Sequence, residues 1–122
     1  MDEILPHLYL GNLEDAKSFT GGEVITVYET LWPEEPRTSI WIPILMDEKA
    51  KTQQLELASE KIVQIMKSGQ RLLVHCHDGM HRSPLLIAYF LSKTFKNFSI
   101  EDAYRFIKEK RPIVQKRLEW LE

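Results

Sequence analysis

The spacing of apolar residues changes repeatedly along the chain, and each change marks an element. His7-Leu8-Tyr9-Leu10 alternates as a short strand does, with Gly11-Asn12 as its turn. Leu13 to Phe19 predicts a short helix, stopped by Thr20-Gly21-Gly22. Val24 to Val27 is β-rich, and Ile40, Ile42 and Ile44 alternate in a strand over 40–45. Between them, Trp32-Pro33-Glu34-Glu35-Pro36 reads as a rigid, exposed loop. From Thr52 to Lys67 the period is helical: Leu55, Ala58, Ile62, Ile65 and Met66 share a face, and Gly69 follows the end. Leu72 to His75 is apolar without alternation, as in a central strand covered on both faces. Ser83 and Pro84 suit a helix start as cap and first-turn residue, and the run to Leu91 is apolar nearly all round. That helix is predicted to be the buried one. Ser99-Ile100-Glu101-Asp102 opens a last major helix with a capping box, and Arg111-Pro112 ends it. The tail from Ile113 to Glu122 predicts a short helix packed by Trp120 and Leu121.

Strands alternating with helices predict an α/β fold with a central, mostly parallel sheet flanked by helices. Strand 40–45, helix 52–67 and strand 71–75 form one β-α-β unit, so those two strands run parallel. Ligands of such sheets gather at the carboxyl ends of the strands. Asp47 lies just past the first of these strands and Cys76 just past the second. A carboxylate and a thiol are therefore delivered to one edge.

Composition narrows the picture without naming a function. A chain of 122 residues is expected to be a single domain over 1–122. A net charge of −2 argues against a general nucleic-acid or membrane-surface binder, and no segment has the apolar length of a membrane span. Met1-Asp2-Glu3 lacks the basic and apolar parts of a secretory signal. The single cysteine permits no internal disulfide, which fits a reducing compartment. A monomeric cytoplasmic protein is the expectation.

The chemistry concentrates in His75-Cys76-His77-Asp78-Gly79-Met80-His81-Arg82-Ser83. A strand turning sharply into a helix N-terminus aims successive backbone N–H groups into one concavity, which favours an anion. Cys76 stands at one side of it and Arg82, with its planar fork of donors, at the other. Cysteine is commonly an inert core residue. Here helix N–H groups, Arg82 and a nearby hydroxyl would all stabilise a thiolate, so Cys76 reads as a nucleophile under a phosphate cradle. Arg82 is placed to fork onto two phosphoryl oxygens, where lysine would be a poor substitute. His75 and His77 flank the cysteine, but no second cysteine pair or spaced histidine motif accompanies them, so no metal is expected.

His-Cys-x-x-Gly-x-x-Arg-Ser resembles the signature of the cysteine-dependent protein tyrosine phosphatase superfamily, and the chain is similar to a small dual-specificity phosphatase. The likeness extends from Leu5-Pro6-His7-Leu8-Tyr9-Leu10-Gly11-Asn12, similar to the family's opening strand, to Arg111-Pro112. The resemblance implies the compact phosphatase fold and hydrolysis of phosphotyrosine, phosphoserine and phosphothreonine monoesters on proteins. It implies a cysteinyl-phosphate on Cys76, no cofactor and no metal. The substrate phosphate would lie on His77, Asp78, Gly79, Met80, His81 and Arg82. His75 would orient the loop, and the Ser83 hydroxyl would stabilise the departing thiolate. The family carries its general acid on a loop where Asp47 stands; Glu48 is the nearest rival and Asp78 a weaker one.

Departures from the family pattern are informative. His81 stands where many such loops carry a small residue; its ring is expected to face solvent, the alternative being a protonated ring beside the phosphate. The family's steadying Pro-Asn pair is replaced near Lys116-Arg117, which leaves loop support to Gln115 or to nothing. Nothing resembles the tyrosine-clamping loop of the tyrosine-specific enzymes, which implies a shallow pocket. An RNA 5′-phosphatase or triphosphatase of the same fold, a non-catalytic phospho-binding module and, more remotely, a rhodanese-type sulfurtransferase stay open as alternatives.

Overall fold

The computed structural model describes residues 1–27, 39–43 and 52–121. Its strands are β1 (Asp2–Leu5), β2 (Leu8–Gly11), β3 (Gly22–Thr26), β4 (Ile40–Trp41) and β5 (Arg71–His75). Its helices are α1 (Leu13–Ser18), α2 (Thr52–Lys67), α3 (Arg82–Thr94) and α4 (Ile100–Lys110), with a 3-10 turn at Leu118–Trp120. The strands form one sheet in the order β1-β2-β5-β3-β4, with β1 antiparallel to β2 and the other pairings parallel. The α/β, mostly parallel architecture read from the sequence is thus observed.

β5 is the central strand. Leu72 and Val74 join the main apolar cluster while the buried Leu73, pointing the other way, does not, so both faces are covered as the unbroken apolar run predicts. α3 contributes an unbroken buried run from Arg82 to Leu91 and packs between α2 and α4. α2 buries the stripe of Leu55, Ala58 and Ile62. Reciprocal capping boxes start α1 (Asn12 with Asp15) and α4 (Ser99 with Asp102), each satisfying donors that the first helical turn leaves over.

Several expectations change. β1 is an additional edge strand; its charged Asp2-Glu3 hides the pattern, and only Ile4 is buried. It turns into β2 through His7 at a φ of 72°. Of the strand expected over 40–45, the described residues pair at Ile40–Trp41, and Pro43, which has no N–H to give a ladder, follows closely. β4 and β5 run in the same direction as the β-α-β reading requires, but β3 lies between them. Trp41 and His75 both register with Thr26, so the two chains leave the sheet at the same level and edge. The loop at 32–36, together with Ile44, Asp47 and Glu48, lies outside the described residues. Ser83 is not the helix cap: α3 starts one residue earlier, its N-cap is His81, and no side chain caps it. No helix among the described residues is long and apolar enough to cross a membrane.

Candidate active site

β5 ends at His75, and the chain turns through Cys76–His81 into α3. The orientation of this loop follows from where its carbonyls go. His75 Nδ1 donates to the Cys76 carbonyl (3.3 Å) and the Leu13 N–H, at the start of α1, to that of His77 (3.0 Å). Arg111 gives Nη2 to the Asp78 carbonyl (3.3 Å) and Nε to that of Gly79 (3.0 Å), and the Gln115 N–H binds that of Met80 (2.8 Å). In a planar trans peptide the C=O and the following N–H point in opposite directions. Five carbonyls held outward therefore turn the N–H groups of residues 77–81 inward. Successive N–H groups so aligned make an anion-binding nest at the N-terminus of α3.

Cys76 sits at the floor of this nest and is 2% exposed. Its sulfur faces the Ser83 hydroxyl at 3.2 Å and receives the Gly79 N–H at 3.3 Å. The Ser83 hydroxyl points to sulfur, which is why it does not cap the helix. Arg82, the first residue of α3, is buried, in contrast to the usual surface arginine. Gly79 has a φ of 68°, and a Cβ there would lie 2.6 Å from Arg111 Nη2 and 2.7 Å from the Gly11 carbonyl oxygen. Only glycine fits this turn without strain.

His75 is fully buried. A carbonyl can only accept, so Nδ1 carries a proton toward Cys76, while Nε2 meets the Thr26 hydroxyl at 2.8 Å. Beyond the cysteine, His77 and Asp78 are exposed and pair with each other at 2.9 Å, and Met80 is half-buried. Of the residues read from the sequence, Cys76, Ser83 and His75 meet through direct hydrogen bonds, and His77–Arg82 follow as the loop and the first residue of α3. Asp47 lies outside the described residues.

His81 departs from expectation. Its ring is half-buried, not solvent-facing, and its Nδ1 accepts a hydrogen bond from Arg117 Nε at 3.1 Å. Burial of the ring pushes its pKa below the ordinary value, the Arg117 and Arg82 guanidiniums push the same way, and Asp78 opposes them. Loop support is likewise present, through the backbone of Gln115 and the side chains of Arg111 and Arg117.

Arg111 is the main residue missed by sequence reasoning, which took it only as a helix end. It is 7% exposed, binds two loop carbonyls and pairs with Asp2 through Nη1 at 2.8 Å. A signal was present: a residue before proline is driven out of helical geometry, and Arg111 sits at φ −141°, ψ 86°. Its side chain is thereby released from the helix surface. Thr26 was missed too; it is a polar residue in a β-rich run, buried because it serves His75.

Comparison with known proteins places this geometry in a family. The model of the dual specificity phosphatase catalytic domain matches residues 8–122. Protein 123R of Invertebrate iridescent virus 6 is 28% identical over 92% of this chain and 80% of its own length. Dual specificity protein phosphatase 5 of Rattus norvegicus is 33% identical over 92% of this chain, which spans only 31% of that protein. The crystal structure of human DUSP28 superposes with a TM-score of 0.81 at 19% identity, covering 98% of this chain and 90% of that one. A cysteinyl-phosphate mechanism acting on phosphoproteins is general to the matched family. The chain belongs to the dual specificity phosphatases, within the cysteine-dependent protein tyrosine phosphatase superfamily.

Proposed function

We propose that this chain, acting as a single catalytic domain over 1–122, hydrolyses phosphotyrosine and phosphoserine or phosphothreonine monoesters on proteins through a cysteinyl-phosphate on Cys76. The observation that carries the reading is the nest of inward N–H groups above a sulfur that also meets the Ser83 hydroxyl. The Cys76 thiolate attacks phosphorus in line with the ester oxygen. The S–P bond forms as the P–O bond breaks. Arg82 forks onto two equatorial oxygens, and the N–H groups of residues 77–81 share the developing charge. Asp47 gives its proton to the departing alkoxide or phenoxide, then takes one from the water that attacks the intermediate. In that second step the S–P bond breaks, inorganic phosphate leaves, and the Ser83 hydroxyl donates to the returning thiolate. His75 holds the loop from below.

The proposed enzyme needs no metal or cofactor, because every role is filled by a side chain or a backbone N–H. It works as a monomer in the cytoplasm, where a lone cysteine stays reduced. Cys76→Ser is expected to abolish turnover while retaining affinity for vanadate. Near-wild-type turnover would refute the mechanism. Asp47→Asn is expected to slow phenyl and alkyl esters far more than a nitrophenyl ester, whose leaving group needs little protonation. Equal losses on both would remove Asp47 from its role.

A further inference from the structure

The two side chains that depart most from the family pattern touch each other. Arg117 Nε lies 3.1 Å from His81 Nδ1. We propose that Arg117 is a positioning residue for the phosphate loop, acting through the imidazole of His81, and that the pair holds the loop only while that ring is unprotonated. The proposal rests on the phosphate-loop reading above and assigns a regulation to that same site.

A guanidinium can only donate, so Nδ1 must be bare and the ring proton must sit on Nε2. The contact is part of a larger group. The His81 ring lies 6.1 Å from the Trp120 ring, and the Arg117 guanidinium carbon lies 5.3 Å over the same indole. Arg117 is itself fixed: its N–H donates to the Tyr104 hydroxyl of α4 at 3.4 Å, and Nη1 pairs with Glu119 at 3.4 Å. The 3-10 turn, α4 and the loop are therefore joined at His81.

Among the described residues, His81 has few other tethers. It is the N-cap of α3, at φ −121° and ψ −66°, with no side-chain cap. Its carbonyl starts the helix by accepting from Leu85 at 3.3 Å, and the next residue is Arg82. A displacement of His81 moves both the last inward N–H of the nest and the arginine. Protonation would remove the acceptor and set a new cation against Arg117 and Arg82, the exposed Asp78 being the opposing carboxylate. Glu119 already pairs with Arg117, and Tyr104 of α4 is buried and stays neutral, its ionisation pushed far up chiefly by burial. The depressed ionisation of His81 fixes the sign: the clamp is complete above the ring's ordinary value of 6.5 and is lost as pH falls through the lowered one.

Two readouts test this. Imidazole 15N NMR of the whole chain should find His81 as the Nε2–H tautomer, titrating below 6.5. In Arg117→Ala the titration should move upward and the single tautomer should be lost. Turnover of p-nitrophenyl phosphate should fall about tenfold in kcat/KM at neutral pH in Arg117→Ala, the scale of one charge-assisted hydrogen bond. Arg117→Lys, which keeps a donor, should recover part of that loss. His81→Asn keeps an acceptor without a titrating ring, so its acid limb should contain one ionisation fewer than wild type. If Arg117→Ala does not fold, the Lys and Asn variants decide. An unchanged His81 tautomer and titration in Arg117→Ala, or identical pH profiles in His81→Asn and wild type, would overturn the proposal. Absence of turnover in the wild type would instead strike the phosphatase reading, while the NMR titration would still judge the clamp.

Discussion

Arg111→Lys separates two things that the native side chain does at once. All three guanidinium nitrogens of Arg111 are engaged: Nη1 on Asp2 at 2.8 Å, Nε on the Gly79 carbonyl at 3.0 Å, and Nη2 on the Asp78 carbonyl at 3.3 Å. A lysine ammonium can keep the pairing with Asp2, but it cannot span two adjacent carbonyls and a carboxylate as a planar fork does. Hydrogen bonds from a charged donor are worth about 1.5–3 kcal/mol each. Two lost, with water partly replacing them, should cost about 3 kcal/mol. For a chain of this size that lowers Tm by roughly 10 °C. Asp2→Asn is the matching control: its partner carboxylate side chain is 37% exposed, so losing that ion pair should cost less than about 1 kcal/mol and leave turnover intact. Thermal unfolding by circular dichroism and kcat/KM on p-nitrophenyl phosphate measure the two effects, with about tenfold lower turnover expected for Arg111→Lys as the nest loosens. The reasoning fails if Arg111→Lys unfolds within about 2 °C of wild type and turns over substrate normally, or if Asp2→Asn proves the more damaging change.

Gly79→Ala should cost about 2 kcal/mol or more, since φ is 68° and the new Cβ would meet both Arg111 and Gly11; unimpaired vanadate binding in that variant would contradict the outward-carbonyl account of the nest. Peroxide should inactivate the enzyme by converting the Cys76 thiolate to the sulfenic acid, and recovery should need an added thiol because the chain has no second cysteine. Mass spectrometry that finds Cys76 unmodified in the inactivated protein would reject that route.

The sequence disclosed what local chemistry dictates and concealed what depends on long-range contact. β5, the buried helix α3 and the Cys76–Arg82 loop were legible because an unbroken apolar run, a proline at a helix start and a glycine turn each carry their own physical signature. The α4 capping box was legible for the same reason. β1 was not: its edge position asks for only one buried side chain, Ile4, and its pairing with β2 leaves no periodic trace. Ser83 was misplaced as a cap because a hydroxyl near a helix start has two possible partners, and proximity to Cys76 decided between them. Nothing local could reveal that His81 meets Arg117, which is 36 residues away.

The loop's five outward carbonyls show why its support had to be distributed. Each donor comes from a different stretch of chain: His75 from β5, Leu13 from the start of α1, Arg111 from the end of α4, and Gln115 from the tail. A loop that must face a thiolate and a phosphate dianion together has to keep its N–H groups inward against their own tendency to seek water. Local sequence cannot impose that, because each peptide could rotate. Partners fixed by the rest of the fold can, since rotating one peptide would break a hydrogen bond that the remainder of the protein holds in place. The motif therefore names the reacting groups, while residues outside it, Arg111 above all, determine whether the backbone between them can bind an anion.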